Sequence, residues 1–334
     1  MRPWRYTGAM TTTPQLRIGT RGSPLALTQA EMVRDQLAQV HPHLAAPESV
    51  EIAVIKTSGD KFLDRPLADI GGKGLFTKEI EEALGEGHIH MAVHSMKDVP
   101  TVLPGGLVIS CIPPREDPRD AFISNRAADI EELPHGAVVG TASLRRAAQL
   151  RNLRPDLVVE TLRGNVQTRL RKLEEGVAAA TLLAFAGLKR LGLENCATTV
   201  LETDLMLPAV AQGAIGIECR EEEDAIRELL VPLNHSQSEV CVAAERALLA
   251  ALDGSCRTPI AALAEYEGGK GLNLRGLVAR PDGSRLHRVS RDFTSCGGIA
   301  EARELGRDAG EELLRAAGPG FFNGGSPDDS PGKN

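Results

Sequence analysis

Asp98 is the acidic residue of this sequence best placed to do chemistry. It lies in His94-Ser-Met-Lys97-Asp98-Val-Pro100, after the apolar run 89–93 and before a proline that stops the strand. That is where open α/β sheets present groups to ligands. Taken alone, Asp98 reads as well as a helix cap or as a surface partner of Lys97. Four further loops place Arg, Lys or Ser at strand ends: Thr20-Arg21-Gly22-Ser23, Gly71-Gly-Lys73-Gly-Leu-Phe76, Ser143-Leu-Arg145-Arg146 and Leu162-Arg163-Gly164. The planar fork of arginine donates two parallel hydrogen bonds to a carboxylate, so these loops together call for a small ligand bearing several carboxylates or phosphates. No G-x-x-x-x-G-K-[ST] sequence occurs, which argues against a nucleotide.

Cys256 is the second reactive candidate. It sits in Asp253-Gly-Ser-Cys256-Arg257-Thr-Pro259, a turn where the neighbouring arginine favours the nucleophilic thiolate. Cys111, Cys196, Cys219, Cys241 and Cys296 read as inert core thiols, and the absence of any C-x-x-C pair or secretory signal points to reduced cysteines. His88, His90 and His94 would share one face of a strand, but no further metal-type ligands surround them, and no metal is expected.

The net charge of −7, from 38 basic and 45 acidic residues, makes nucleic acid a poor partner. Locally the balance reverses: 137–172 holds eight basic residues against Asp156 and Glu160, a focused anion site within an acidic protein. Within it Arg151, Arg154, Arg171 and Lys172 read as a solvated helix face. No run approaches the roughly 18 apolar residues of a membrane helix, so a cytoplasmic protein is expected.

The elements that must position these residues follow from periodicity. Apolar runs at 16–18, 50–55, 89–93, 107–112, 137–139, 157–159 and 178–183 alternate with helical stretches, an α/β pattern. Ile18-Gly-Thr-Arg-Gly-Ser-Pro-Leu25 and Val139-Gly-Thr-Ala-Ser-Leu-Arg-Arg146 both run from a strand through Gly-Thr into a helix, and Thr161-Leu-Arg-Gly-Asn165 is a third such loop. Backbone N–H groups and the positive helix end face an anion there, which predicts two related lobes with a cleft between them. The last third reads differently: a capping box Ser236-Gln-Ser-Glu239, a helix ending near Gly254, strands near 259–265, 272–279 and 285–291, and a helix over 299–316. Residues 1–14 and 319–334 are expected to be flexible tails.

Taken in order, seven segments closely resemble the porphobilinogen deaminase family: Arg21-Gly-Ser-Pro-Leu-Ala-Leu27, Gly71 to Phe76, Ala92 to Pro100, Arg115-Glu-Asp-Pro-Arg-Asp-Ala121, Ser143 to Arg146, Leu162 to Asn165 and Leu207-Pro-Ala-Val-Ala-Gln-Gly-Ala214. The resemblance implies an α/β fold of two lobes like type II periplasmic binding proteins and a small C-terminal α+β domain with a three-stranded antiparallel sheet. It implies domain 1 at 15–113 and 214–230, domain 2 at 114–213 and domain 3 at 236–318, with a crossing back that periodicity does not reveal. It also implies a transferase that joins four porphobilinogen molecules head to tail into hydroxymethylbilane, releasing ammonia, on a dipyrromethane cofactor held as a thioether by Cys256. Asp98 is then catalytic. Lys97, Ser143, Arg145 and Arg146, with Asp98, would hold the cofactor; Arg21, Ser23, Arg163, Arg169, Arg190, Lys73 and Phe76 would hold substrate; the expected state is a monomer. Loss of ammonia leaves an electron-poor methylene-pyrrolenine cation, which an ionised carboxylate stabilises while accepting pyrrole N–H bonds. Asp69, Ala142 and Ser255 depart from residues frequent in the family, and the first puts one loop contact in question. The rival reading is a two-lobed anion receptor without chemistry, which would carry no added mass on Cys256.

Overall fold

The computed structural model describes residues 15–61, 74–254, 258–267, 271–294 and 297–322, and its strands form three sheets. The first begins with β1 (Leu16–Thr20), α1 (Pro24–Val40), β2 (Val50–Val54), α2 (Ser58–Lys61), α3 (Lys78–Gly85), β3 (Met91–Ser95) and β4 (Leu107–Cys111). α1 starts where Ser23 accepts from the Ala26 N–H and Pro24 fills a first-turn position that needs no donor. Its Ala30, Val33 and Leu37, on one helical face, are buried beside β1 and β3 in a common core.

The chain then builds a second sheet from β5 (Asp120–Ser124), β6 (Val138–Gly140), α4 (Leu144–Leu153), β7 (Val158–Glu160), α5 (Val166–Glu174), β8 (Ala180–Ala184), α6 (Phe185–Arg190) and β9 (Thr199–Val200). It returns to the first sheet as β10 (Ile215–Arg220), antiparallel between β3 and β4, and continues into α7 (Asp224–Leu230). The sheet orders are β2-β1-β3-β10-β4 and β7-β6-β8-β5-β9. They follow one plan: β6 lies parallel to β7 and β8 as β1 does to β2 and β3, and in each sheet one antiparallel strand fills the fourth place.

The third sheet, β11 (Ile260–Glu267), β12 (Gly271–Ala279) and β13 (Leu286–Phe293), is antiparallel and packs against α8 (Ser236–Ala251) and α9 (Ile299–Ala317). The two helices approach closely because a Cβ on Gly306 would come within 2.0 Å of the Ala244 carbonyl oxygen. The α/β class and the three-stranded antiparallel sheet therefore stand as expected, and all ten strands anticipated from periodicity are present. Three strands were not anticipated from periodicity: β5, β9 and β10.

Other local readings change. The cap of α8 is His235, whose ring Nδ1 accepts from the Ser238 N–H, so the expected box is displaced by one residue; Glu239 instead accepts from the Asn234 side chain at 2.8 Å. Arg151 and Arg154 are not a solvated face. Arg151 donates to the Pro281 carbonyl, and Arg154 pairs with Asp156 while bonding the carbonyls of Ile130, Glu131 and Leu133. Both have carbonyls within reach, which bind guanidinium donors better than exposure alone would suggest.

The two segments that cross between the first and second sheets run side by side. The Glu116 N–H donates to the Gly213 carbonyl and Arg115 Nε to the Gln212 carbonyl. Glu245 of α8, fully buried, fastens both: it takes a bidentate bond from Arg115, with contacts of 2.5 and 3.2 Å, and accepts from the N–H groups of Ala211 and Ala264. Gly213 has a φ of +88°, and a Cβ there would meet the Glu116 carbonyl oxygen at 2.3 Å, so no other residue allows this approach.

Candidate active site

Asp98 closes a one-turn 3-10 helix, Met96–Asp98, that follows β3 directly. The turn is tied to the return crossing by the Met96 N–H, which donates to the Ala214 carbonyl at 3.0 Å. Asp98 lines a cleft with Arg21, Ser23, Phe76, His94 and Ser95. These residues come from the C-terminal ends of β1 and β3 and from the turn before α3, the edge where a parallel sheet directs its loops. The Arg21 guanidinium lies 4.2 Å from the centre of the Phe76 ring, a cation–π contact that orients it. Ser23 is both the cap of α1 and a lining residue of the cleft.

Lys97 turns toward the second sheet, where its ammonium reaches Gln212 Oε1 at 3.4 Å. Burial pushes the Lys97 ammonium down to about 8; Asp98 opposes the shift, Arg146 adds to it, and Asp120 and Arg145 act in turn. Gln212 passes the connection on, donating to Asp120 Oδ1 at 2.8 Å. Asp120, at the start of β5, is fully buried and takes one Nη bond from each of Arg145 and Arg146, both at 2.7 Å. Against the upward push of burial, these two guanidiniums hold the Asp120 carboxyl well below the usual carboxylate range. The remaining Nη groups donate to the Leu207 and Leu182 carbonyls. Ser143 caps α4 just before these arginines.

The remaining cations come from the α5 and α6 region. Arg169 Nε donates to the Gly164 carbonyl at 2.8 Å. Burial pushes its guanidinium down to about 10, with Arg146 and Arg163 adding to the shift and Asp98 opposing it. Arg190 donates to the Gly213 carbonyl at 2.7 Å and is likewise pushed down to about 10 by burial, with Glu116 opposing.

Asp98 thus favours the charged forms of its neighbour Lys97 and of Arg169 on α5. Arg145 Nε, Arg146 Nε, Arg163 Nη1 and Arg190 Nε are buried with no hydrogen-bond partner among the described residues. Buried N–H donors without acceptors are costly. Four uncommitted guanidinium donors call for the acceptors that a ligand with several carboxylates brings, and the Asp98 carboxylate can accept from pyrrole N–H groups, so the residues present fit a dipyrromethane.

Of the expected residues, Arg21, Ser23, Phe76 and Asp98 line the cleft; Lys97 reaches Gln212, Arg145 and Arg146 meet at Asp120, Ser143 caps α4, Arg163 precedes α5, and Arg169 and Arg190 lie on α5 and α6. Cys256 and Lys73 lie outside the described residues. Among the described residues no group of three His, Cys, Asp or Glu could hold a metal ion. His88 pairs with Glu86, His90 Nδ1 accepts from the Arg17 N–H, and His94 is bonded to Glu218. Sequence reasoning gave no role to Asp120 or Gln212; the signal available was their place inside the segments Arg115 to Ala121 and Leu207 to Ala214.

A family model described as porphobilinogen deaminase, dipyromethane cofactor binding domain, matches residues 16–228, and one described as porphobilinogen deaminase, C-terminal domain, matches 239–315. The chloroplastic porphobilinogen deaminase of Pisum sativum is 57% identical, over 93% of this chain and 84% of its own. The porphobilinogen deaminase of Nitrobacter hamburgensis is 56% identical, over 91% of this chain and 94% of its own. Among solved structures, a periplasmic substrate-binding protein of an ABC transporter from Coxiella burnetii aligns with a TM-score of 0.41 at 16% identity, over 69% of this chain and 94% of that one.

Proposed function

This chain belongs to the porphobilinogen deaminase family, and from that premise we propose how its own residues divide the work. The reaction joins four porphobilinogen molecules head to tail into linear hydroxymethylbilane and releases ammonia. When bound, the dipyrromethane cofactor supplies the nucleophilic pyrrole carbon at which the chain grows.

Asp98 is the catalytic carboxylate. It accepts pyrrole N–H bonds and stabilises the cation left on the substrate when ammonia departs, an electrostatic role that a preformed anion serves without reorganisation. Since porphobilinogen already carries its amine as ammonium near neutral pH, departure calls for little acid assistance, and Asp98 is suited to removing the proton that restores aromaticity after coupling. Lys97, Ser143, Arg145 and Arg146 hold the cofactor, which is attached through Cys256. Arg21, Ser23, Lys73, Phe76, Arg163, Arg169 and Arg190 hold the acetate and propionate groups of the substrate. The place of Asp98, one turn beyond β3 in a cleft that it lines with Arg21 and Ser23, carries this reading.

Intact-mass measurement with and without porphobilinogen tests it. The purified protein should exceed its sequence mass, Cys256→Ser should abolish the excess, and Asp98→Asn should keep the excess but accumulate adducts far more slowly. Near-full turnover by Asp98→Asn would remove Asp98 from this role. Strand membership of the three sheets supports domain 1 at 15–113 with 214–230, domain 2 at 114–213 and domain 3 at 236–318. Among the described residues no helix is long and apolar enough to cross a membrane. A cytoplasmic monomer is the expected state; sedimentation at micromolar concentration and cell fractionation are the checks.

A further inference from the structure

Arg246 lies on α8, and no sequence motif singles it out. Its guanidinium nevertheless reaches the loop that carries Asp98: one Nη donates to the Val99 carbonyl at 3.0 Å and the other to the Pro100 carbonyl at 2.6 Å. These are the two residues that follow Asp98, so the bonds fix the path of the backbone just beyond the carboxylate. Otherwise the turn is short. The 3-10 helix spans three residues, and its C-terminal cap is a single 3.2 Å bond from the Val99 N–H to the Met96 carbonyl. Such a turn has poor hydrogen-bond geometry and does little to hold a side chain by itself.

Behind the same loop, Glu218 of β10 is fully buried and binds His94 Nε2 at 2.9 Å, leaving its Oε1 with no hydrogen-bond partner among the described residues. Arg246 feels that carboxylate: burial pushes the guanidinium down to about 10, Glu218 opposes the shift and Arg303 adds to it. A desolvated guanidinium held mainly by two carbonyls is a costly way to stabilise a fold. It is an effective way to fix a strand end, because a rigid fork with two bonds leaves the carbonyls little freedom to turn. Arg246 also follows Glu245, which fastens both inter-sheet crossings, and α8 leads through Gly254 toward Cys256.

We propose that Arg246 is a positioning residue for the known reaction, holding the Val99 and Pro100 carbonyls so that the Asp98 carboxylate keeps its place relative to α8. The proposal rests on Asp98 being the catalytic carboxylate. A misplacement of about 1 Å at a reacting group costs up to roughly 100-fold in rate, so a lost clamp should appear in kcat.

Arg246→Met and Arg246→Lys, each prepared as holoenzyme in the wild-type and Asp98→Glu backgrounds, provide the test. In the wild-type background Arg246→Met should lower kcat roughly 10- to 100-fold while KM stays within about twofold and the cofactor mass is retained. Arg246→Lys, with one compact donor group, should recover part of the loss. In Asp98→Glu the carboxylate is already displaced, so the same changes should cost less than about twofold. Equal losses in both backgrounds, no loss, or a raised KM with unchanged kcat would each overturn the positioning role. If Arg246→Met does not fold, the lysine series makes the same comparison between backgrounds. An Asp98→Glu enzyme with undiminished kcat would overturn the assignment of Asp98 instead, which keeps the two failures distinct.

Discussion

The helices beside the second sheet carry two kinds of arginine. Arg145 and Arg146 each give Asp120 an Nη bond and give the other Nη to a backbone carbonyl, so the pair shares one carboxylate and is held in place before any ligand arrives. Arg169 and Arg190 donate to the carbonyls of Gly164 and Gly213, a weaker arrangement for a cation, and burial pushes both down to about 10. The first pair, on α4, is tied to Asp120 of the second sheet and has only its Nε–H groups without a partner among the described residues. The other arginines can trade a carbonyl for a carboxylate when one enters. On the proposed reading, one set would define the floor and the other would re-pair as each anionic unit is added.

Removing the fixed partner should have the largest effect. Asp120→Asn leaves two buried guanidiniums without their anion and should cost about 3–5 kcal/mol in urea unfolding. Because the folded carboxyl lies below its unfolded value, its stabilisation is complete above the ordinary carboxylate pKa and is lost as pH falls below it. Acid unfolding of the variant should therefore be less steep than that of the wild type. A wild-type melting point in Asp120→Asn would erase the distinction between the two sets.

Next come the exchangeable cations. Arg190→Met or Arg169→Met should raise KM for porphobilinogen roughly tenfold, the value of one charge-assisted bond, with a smaller change in unfolding midpoint than Asp120→Asn. Equal stability losses in the three variants would mean that no exchange occurs. pH gives a subtler separation. Lys97 sits at about 8 in the folded protein, below its ordinary lysine value, so its cation is lost as pH rises through about 8. Between that pH and the unfolded lysine value the unfolded chain binds the extra proton, so this residue's contribution to stability rises with pH while ligand gripping weakens. Ligand affinity should fall above pH 8 in the wild type, and Lys97→Met should lose that limb. The smallest effect belongs to Arg171, whose pair with Glu175 is exposed: Arg171→Ala should shift stability by less than about 0.5 kcal/mol and leave turnover unchanged.

Much of this molecule can be read from its sequence, and the parts that cannot share a cause. The ten strands seen in advance are those whose apolar residues recur locally, and the Gly-Thr loops gave the strand-to-helix junctions at Ser23 and Ser143. β10 escaped because Gly216 and the buried Glu218 interrupt its apolar run and because its partners lie far back in the chain. Asp120 escaped for a related reason: an acid before Ala-Phe-Ile reads as a polar strand end until the arginines of α4 are brought against it. The types of the ligand-binding residues were legible, whereas their division into fixed and exchangeable cations depended on which groups folding brings within 3 Å. The resemblance assigned Arg145 and Arg146 to the cofactor and Arg169 and Arg190 to the substrate, but gave no sign that the first pair shares the buried carboxylate of Asp120.

The return of β10 also bears on how the protein is made. His94 and Glu218, bonded in the finished sheet, are 124 residues apart in sequence, and among the described residues β4 has no strand partner except β10. At about 5–20 residues per second, a ribosome leaves the β3 edge open and β4 unpaired for on the order of ten seconds while the second sheet is synthesised. During that interval the nascent chain offers an unpaired strand edge, Met91–Ser95, just upstream of the Met96–Asp98 turn. Translation speed through 96–214 and chaperone occupancy of that edge should therefore influence the yield of active enzyme more than equilibrium stability does.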